Sequence, residues 1–228
     1  MSNVLAKLSI TQSELFSGWP SEAVERLVAA ADIVSYEADA CVHRSEDKVD
    51  YLYLVVTGSM QLSRRVSDRE FTAWLYFAGD CHGIGPAIAN SRYIYTATCK
   101  EPTKLVRIPA SLLRDMIRAD GSLSFSLFAA FEQRYRNALS LYEGASTYST
   151  RERIAALLLS FVARNIRCRE ASEVNLSQDE IATMLGTRRQ VVNRALREMV
   201  GAAFVRVQYG RIAIVDHARL SELAEGSG

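Results

Sequence analysis

Cysteine and histidine are scarce in this 228-residue chain, four and three respectively, and neither is grouped. Cys41, Cys81, Cys99 and Cys168 lie at least 18 residues apart, so no CxxC pair and no local zinc or iron–sulfur spacing occurs. His43, His82 and His217 form no HxH or HExxH pattern that would put two ligands on one face, and a structural role is expected for each. Neither a metal nor a cofactor is expected. No apolar run nears the roughly 20 residues of a membrane helix, the densest being Ile154–Phe161. Residues 1–10 have neither the basic start nor the long apolar stretch of a secretory signal. A cytoplasmic protein without membrane contact or a disulfide framework is expected, and the Asn175-Leu176-Ser177 sequon should be idle.

What is present argues for a folded protein whose second half suits a polyanion. At 49% hydrophobic and 23% charged residues the chain is far from the profile of disorder, and it is long enough for two modest domains. Net charge is only +1, but it changes sign along the chain. Residues 151–228 hold 12 Arg and no Lys against 9 acids, leaving 15 basic and 17 acidic residues before them. Between Gly186 and Arg211 stand Arg188, Arg189, Arg194, Arg197, Arg206 and Arg211 with a single acid, Glu198. Local density of this kind, rather than net charge, is what binds nucleic acid.

Residues 13–31 read as a short helix, Ser21–Val28 following Pro20, with Ser21 or Pro20 at its start. Short Val-, Tyr-, Leu- and Thr-rich segments follow, at Asp50–Thr57, Met60–Arg65, Thr72–Phe77, Ile94–Cys99 and Lys104–Ile108. They are separated by turn signals at Gly58, Ser67-Asp68, Gly79-Asp80 and Gly83-Ile84-Gly85-Pro86, the pattern of a roll or barrel. Ser111 is expected to cap a helix over Leu112–Ala119. A long helix from Leu123 to Ala145 carries Phe128, Phe131, Tyr135, Ala138, Tyr142 and Ala145 at spacings of 3, 4, 3, 4 and 3, a heptad seam suited to a two-helix dimer. Leu127, Leu139 and Leu141 make further faces of it apolar. The polar stretch Glu143–Arg151 is expected as a hinge before a helix over Arg151–Arg164, with a polar loop at Asn165–Asn175.

Ser177 and Glu180 then fit a capping box, Gly186 a tight turn, and Thr187 with Gln190 a second capping box. A second helix over Arg188–Val200 follows, and Phe204–Gln208, Tyr209-Gly210 and Arg211–Val215 read as a hairpin. This is a helix–turn–helix with a wing. With Ile181, Leu185, Val192 and Leu196 inward, the outer face presents Arg188, Arg189, Gln190, Asn193, Arg194 and Arg197. Arginine can pair with guanine, and glutamine or asparagine with adenine, in the major groove of double-stranded DNA. Ser177 and Thr187, at helix starts, suit phosphate contacts.

The order of elements resembles the CRP/FNR (catabolite activator/fumarate–nitrate regulator) family over essentially the whole chain. The matching residues are Tyr51–Gly58, Ala78-Gly79-Asp80 with Gly83, and above all Gly186-Thr187-Arg188-Arg189-Gln190-Val191-Val192-Asn193-Arg194-Ala195-Leu196. The last is similar to the family's recognition helix and puts Arg189, Gln190 and Arg194 on its base-reading positions. The resemblance implies an α+β chain: a cyclic-nucleotide-binding-like β-roll over 1–122, a dimerisation helix over 123–146 and a winged helix–turn–helix over 147–228. It implies a non-enzymatic bacterial homodimer on a palindromic operator, with RNA polymerase as a further partner and a small-molecule effector in the roll.

Departures bear on that effector. Ile84 follows Gly83 where the family's cyclic-AMP pocket has Glu, and Tyr93-Ile94 stand where it has Arg-Ser, so a phosphate is expected to meet no cation unless Arg92 is recruited. The first cysteine is Cys41, which excludes an N-terminal iron–sulfur cluster. Asp39 and Glu46 replace loop glycines, which puts that loop's shape in question, and Gln190 replaces Glu, which should shift preference toward adenine. The pocket is expected between roll and long helix, lined by Gly83, Ile84, Gly85, Tyr93, Tyr95, Tyr135 and Leu139, for an apolar or aromatic effector other than cyclic AMP. Equally, those residues could simply fill the roll core. Other readings stay open at this point: an effector-independent regulator, a sensor using haem at His82 or Cys81 or thiol oxidation at Cys81 or Cys99, a cupin-like metalloenzyme, or a protein-binding module using the seam.

Overall fold

A computed structural model describes residues 2–67, 69–164, 173–208 and 210–226. Asp68, Tyr209, Cys168 and most of the Asn165–Asn175 loop, together with the side chain of Leu141, lie outside the described residues. Contacts divide the chain into two compact units, Met1–Tyr135 and Arg136–Gly228.

The first unit opens with α1 (Ser2–Gln12) and α2 (Ser21–Ala30), of which only α2 is expected from the sequence. The strands are β1 (Asp32–Tyr36), β2 (Cys41–His43), β3 (Tyr51–Thr57), β4 (Ser59–Val66), β5 (Arg69–Phe77), β6 (Cys81–His82), β7 (Thr96–Cys99) and β8 (Thr103–Pro109), with α3 (Ile84–Ala89) inserted after β6. They pair antiparallel in two four-stranded sheets, ordered β1-β8-β3-β6 and β2-β7-β4-β5. Leu52, Leu54, Met60, Leu62, Leu105, Val106 and Ile108 from the two sheets share one core with Ile10, Leu27, Leu113, Met116 and Leu127 from the helices. In β3, Leu52 to Val55 are all buried, so that strand is covered on both faces. At the edge, Asp32 lies directly opposite Arg107 and accepts two bonds from it at 2.9 and 2.6 Å, which holds the carboxyl below its usual range.

Glycine is required at the β3–β4 turn. Gly58 has φ +82°, and a Cβ there would stand 2.5 Å from Thr103 Oγ1 and 2.6 Å from the Pro102 carbonyl. The loop with replaced glycines keeps the left-handed backbone nonetheless, Asp39 at φ 63° and Glu46 at φ 68°. Backbone bonds hold both: the Asp39 amide donates to the Cys99 carbonyl at 2.8 Å and the Glu46 amide to the Tyr93 carbonyl at 2.7 Å.

After β8 comes α4 (Ala110–Ala119), and here the expected cap is displaced. Pro109 occupies the N-cap position and Ser111 lies inside the first turn, since proline's fixed φ suits the strand-to-helix junction and needs no amide. α5 (Ser124–Thr147) follows a short 3-10 turn over Gly121–Leu123. The expected hinge is mostly helix: α5 continues to Thr147 and α6 (Thr150–Arg164) begins three residues later. A capping box missed in the sequence accounts for the restart, the Ser149 amide donating to Glu152 and the Glu152 amide to the Ser149 hydroxyl.

The second unit adds β9 (Glu173–Val174), α7 (Gln178–Met184), α8 (Arg189–Gly201), β10 (Val205–Gln208), β11 (Arg211–Ile214) and α9 (His217–Ala224). The β10–β11 hairpin is extended by β9, and α6 packs on α8 and α9. Among the described residues no helix is long and apolar enough to cross a membrane.

Candidate nucleic-acid interface and effector cavity

In the second unit, α7 starts with a complete capping box. Ser177 Oγ accepts from the Glu180 amide, while Glu180 Oε2 accepts from the Ser177 amide at 2.7 Å and from its hydroxyl at 2.8 Å. The Ser177 hydroxyl is thus already committed within the cap. Gly186 turns the chain at φ +62°, and the Thr187 amide closes on the Ala182 carbonyl at 2.9 Å. The second expected capping box is absent. Arg188, extended at φ −100° and ψ 144°, occupies the N-cap of α8, and its side chain makes no capping bond. Thr187 sits one residue too early to cap, because the turn consumes it. The Val191 amide already closes on the Arg188 carbonyl at 2.9 Å, and no side-chain cap covers the amides of Arg189 and Gln190 ahead of it, which leaves that end of α8 open to an anion.

Val192, Ala195, Leu196 and Met199 of α8 are buried with Ile181 and Leu185, and this fixes the helix's rotation. Arg188, Arg189, Gln190, Arg194 and Arg197 are exposed as a result, as are Arg206 and Arg211 on the hairpin. Two expected readers are partly engaged. Arg189 pairs with Asp179 at 3.1 Å, both side chains remaining well exposed. Asn193 is half-buried and donates through Nδ2 to Gln178 Oε1 at 2.9 Å, facing α7 rather than solvent. Glu198 lies 3.7 Å from Arg151.

On α5 the expected seam residues form a stripe that the single chain leaves open: Phe128, Phe131, Tyr135 and Tyr142 are 68%, 54%, 58% and 74% exposed. Ala138 and Ala145 are exposed as well. Leu127, one residue from the stripe, is buried against the roll.

The first unit contains a cavity of about 730 Å³ between the end of the roll and the start of α5. Gly83, Ile84, Gly85, Tyr93 and Tyr95 line it. Tyr135 and Leu139 do not, since the last residue of α5 to reach it is Arg134 and both lie farther along the helix. Phe128, Phe131, Leu127 and Arg134 supply the helix wall instead. A cation does reach the cavity, contrary to expectation, because Arg92 and Arg134 are both in its wall. Arg134 donates to the Cys81 carbonyl and Arg92 to the Glu46 carbonyl at 2.6 Å.

At one side of this cavity lies a pairing that the sequence conceals. His43 on β2 and His82 on β6 belong to different sheets, yet their Nε2 atoms are 2.8 Å apart, and both rings are buried. His43 stacks on Tyr93 at 3.5 Å between ring centroids and on Tyr53 at 6.1 Å, while Tyr76 flanks His82. Burial pushes His43 down to about 4 and His82 well below its ordinary range, with His43 and the Arg134 charge further opposing a proton on His82. Both are neutral at pH 7, one donating to the other. The atom of His82 that a haem iron would take is therefore in use. Burial likewise raises the Cys81 thiol to about 12 and also raises Cys99, so neither is a ready thiolate in the folded protein. Among the described residues no group of three or more His, Cys, Asp or Glu is placed to hold a metal ion.

The comparisons fall on the same two regions. The cyclic nucleotide-binding domain family matches residues 33–120, and the Crp-like helix-turn-helix domain family matches residues 152–223. The chain is 24% identical over 229 residues to the CRP-like cAMP-activated global transcriptional regulator of Mycobacterium tuberculosis, covering 98% of this chain and 100% of that one. It is 25% identical over 215 residues to the cyclic AMP receptor protein of Thermus thermophilus, covering 94% and 98%. Among solved structures, FixK2 of Bradyrhizobium japonicum is similar in fold, with a TM-score of 0.72 at 22% identity over 85% of this chain and 96% of that one.

Proposed function

From the premise that the chain belongs to the CRP/FNR family of transcription regulators, we propose that it acts as a homodimer on a palindromic operator under the control of a ligand held in its roll. One observation carries the DNA reading: the buried stripe of α8 turns Arg188, Arg189, Gln190, Arg194 and Arg197 outward together, behind a capped helix and a left-handed glycine turn. Arg189, Gln190 and Arg194 read base edges. Arg188, Thr187 and the uncapped start of α8 hold phosphate. Arg206 and Arg211 add cationic wing contacts.

The exposed aromatic stripe of α5 is the dimer seam, because four large rings at heptad spacing on one helix find a dry partner in a second copy of themselves. Half-sites would then lie about one helical turn, roughly 34 Å, apart. The cavity abuts Phe128 and Phe131, which also belong to the seam, so a ligand there can favour one arrangement of the two helices over another. RNA polymerase is the remaining partner, and the protein works in the cytoplasm.

Selection of genomic fragments by purified protein at one fixed, moderate salt concentration tests the proposal. A recovered palindrome with an adenine-containing half-site supports it. Binding that is salt-sensitive but independent of sequence, across every ligand tried, overturns it.

A further inference from the structure

Resting on the reading of the cavity as the effector site, we propose that it takes an apolar organic acid, an aromatic or aliphatic body with a single anionic head, in preference to a nucleotide. The walls supply the first half of the argument. Ile84, Ile88, Ile94, Leu127, Phe128 and Phe131 present hydrocarbon, and the volume of about 730 Å³ is within the range of small-molecule sites. The charges supply the second. Two arginines, Arg92 and Arg134, line the cavity, and no aspartate or glutamate does. Among the described residues each guanidinium has a backbone carbonyl as its acceptor and no carboxylate partner. Arg134 is half-buried as well, so a largely apolar wall surrounds a cation that no carboxylate of the lining faces. An anion entering there gains a charge-assisted hydrogen bond without displacing a competing carboxylate.

The head is anionic because the charged groups of the wall are both cations and no carboxylate is there to hold a cation; the hydroxyls of Ser91, Ser124 and Tyr95 add only neutral partners. His82, the other nitrogen-bearing side chain in the wall, is held neutral by burial and is already paired with His43. A nucleotide fits this lining poorly. Ribose hydroxyls need strong acceptors, and this wall, with no carboxylate, offers them only neutral hydroxyls among isoleucine and phenylalanine. An acid whose remaining surface is hydrocarbon leaves no polar group unpaired.

The test is calorimetric titration of the full-length protein with decanoate and 2-naphthoate, with their uncharged counterparts decan-1-ol and 2-naphthylmethanol, and with cyclic AMP. The acids should bind at least about tenfold more tightly than the alcohols. Arg134→Met, which keeps the apolar stem, should reduce that preference, Arg134→Met with Arg92→Met should abolish it, and Arg134→Lys should restore part of what the single variant loses. Alcohols binding as tightly as acids, an unchanged preference in Arg134→Met, or cyclic AMP binding more tightly than either acid would each overturn the inference while leaving an effector site in place. If no compound of any kind binds while an operator fragment still does, the effector reading itself falls and the DNA-binding reading survives.

Discussion

Acid should destabilise the first unit, and the amount follows from the His43–His82 pair. Each imidazole takes up a proton near pH 6.5 in the unfolded chain, whereas burial keeps both neutral in the folded protein until far lower pH, about 4 for His43. The neutral form is therefore the folded form. Its stabilising contribution is complete above about pH 7 and is lost progressively as pH falls through 6.5. At pH 5.5 an unfolded histidine is mostly protonated, a cost to the fold of about 1.4 kcal/mol per ring and about 3 kcal/mol for the pair. The Asp32 carboxyl acts in a lower window, since Arg107 holds it beneath its ordinary value. Both tryptophans, Trp19 and Trp74, lie in the first unit, and His217 lies in the second. Urea unfolding followed by tryptophan fluorescence at pH 7.5 and 5.5 thus reads the pair's own unit. His43→Phe should remove about half of the difference, and His43→Phe with His82→Leu nearly all of it. A wild-type midpoint that does not move between the two pH values, or a double variant that keeps the full dependence, would refute the reasoning.

The other expectations concern DNA, capping and backbone. Arg189→Ala should weaken operator binding by about 1–3 kcal/mol and relax specificity at one base pair, measured by fluorescence anisotropy on operator variants, while uniform weakening on all sequences would make Arg189 a phosphate contact. Ser177→Ala removes the reciprocal cap of α7 and should cost the second unit about 1 kcal/mol in thermal unfolding, whereas Thr187→Ala, which caps nothing, should not repeat that loss. Gly58→Ala should destabilise the first unit by more than about 1 kcal/mol in chemical denaturation, because the new methyl meets Thr103 and Pro102 at a left-handed φ. Tyr142→Glu should shift the chain toward monomer in sedimentation if the α5 stripe is the dimer seam, and an unshifted dimer would place the interface elsewhere.

Period and punctuation made most of the second unit legible. Ser177 with Glu180, Gly186 at a left-handed turn and the alternation of Val205–Gln208 with Arg211–Ile214 are local signals, set by residues within a few positions of each other. Two helix starts are set by competition between local signals. Thr187 and Ser111 each have the chemistry of a cap, but Arg188 and Pro109 hold those positions because the turn and the strand end where they do. The weakly amphipathic α1 and the short β2 and β6 carry too little pattern to be seen alone.

By itself, then, the amino-acid order determined a strand-rich roll followed by a helix–turn–helix, the outward arginine face of α8 and the apolar stripe of α5, because each depends on spacing within short segments. Only the tertiary structure decided the content of the cavity. His43 and His82 are 39 residues apart on strands of different sheets and meet only when the roll closes. Arg92 and Arg134 enter one wall from a loop and a helix, and Tyr135 and Leu139 are not part of it, the helix wall ending at Arg134. Asn193, polar and well placed on α8, turned out to face Gln178 of α7. Long-range pairing sets these contacts, and no periodicity within a single segment carries information about which distant segment will be its neighbour.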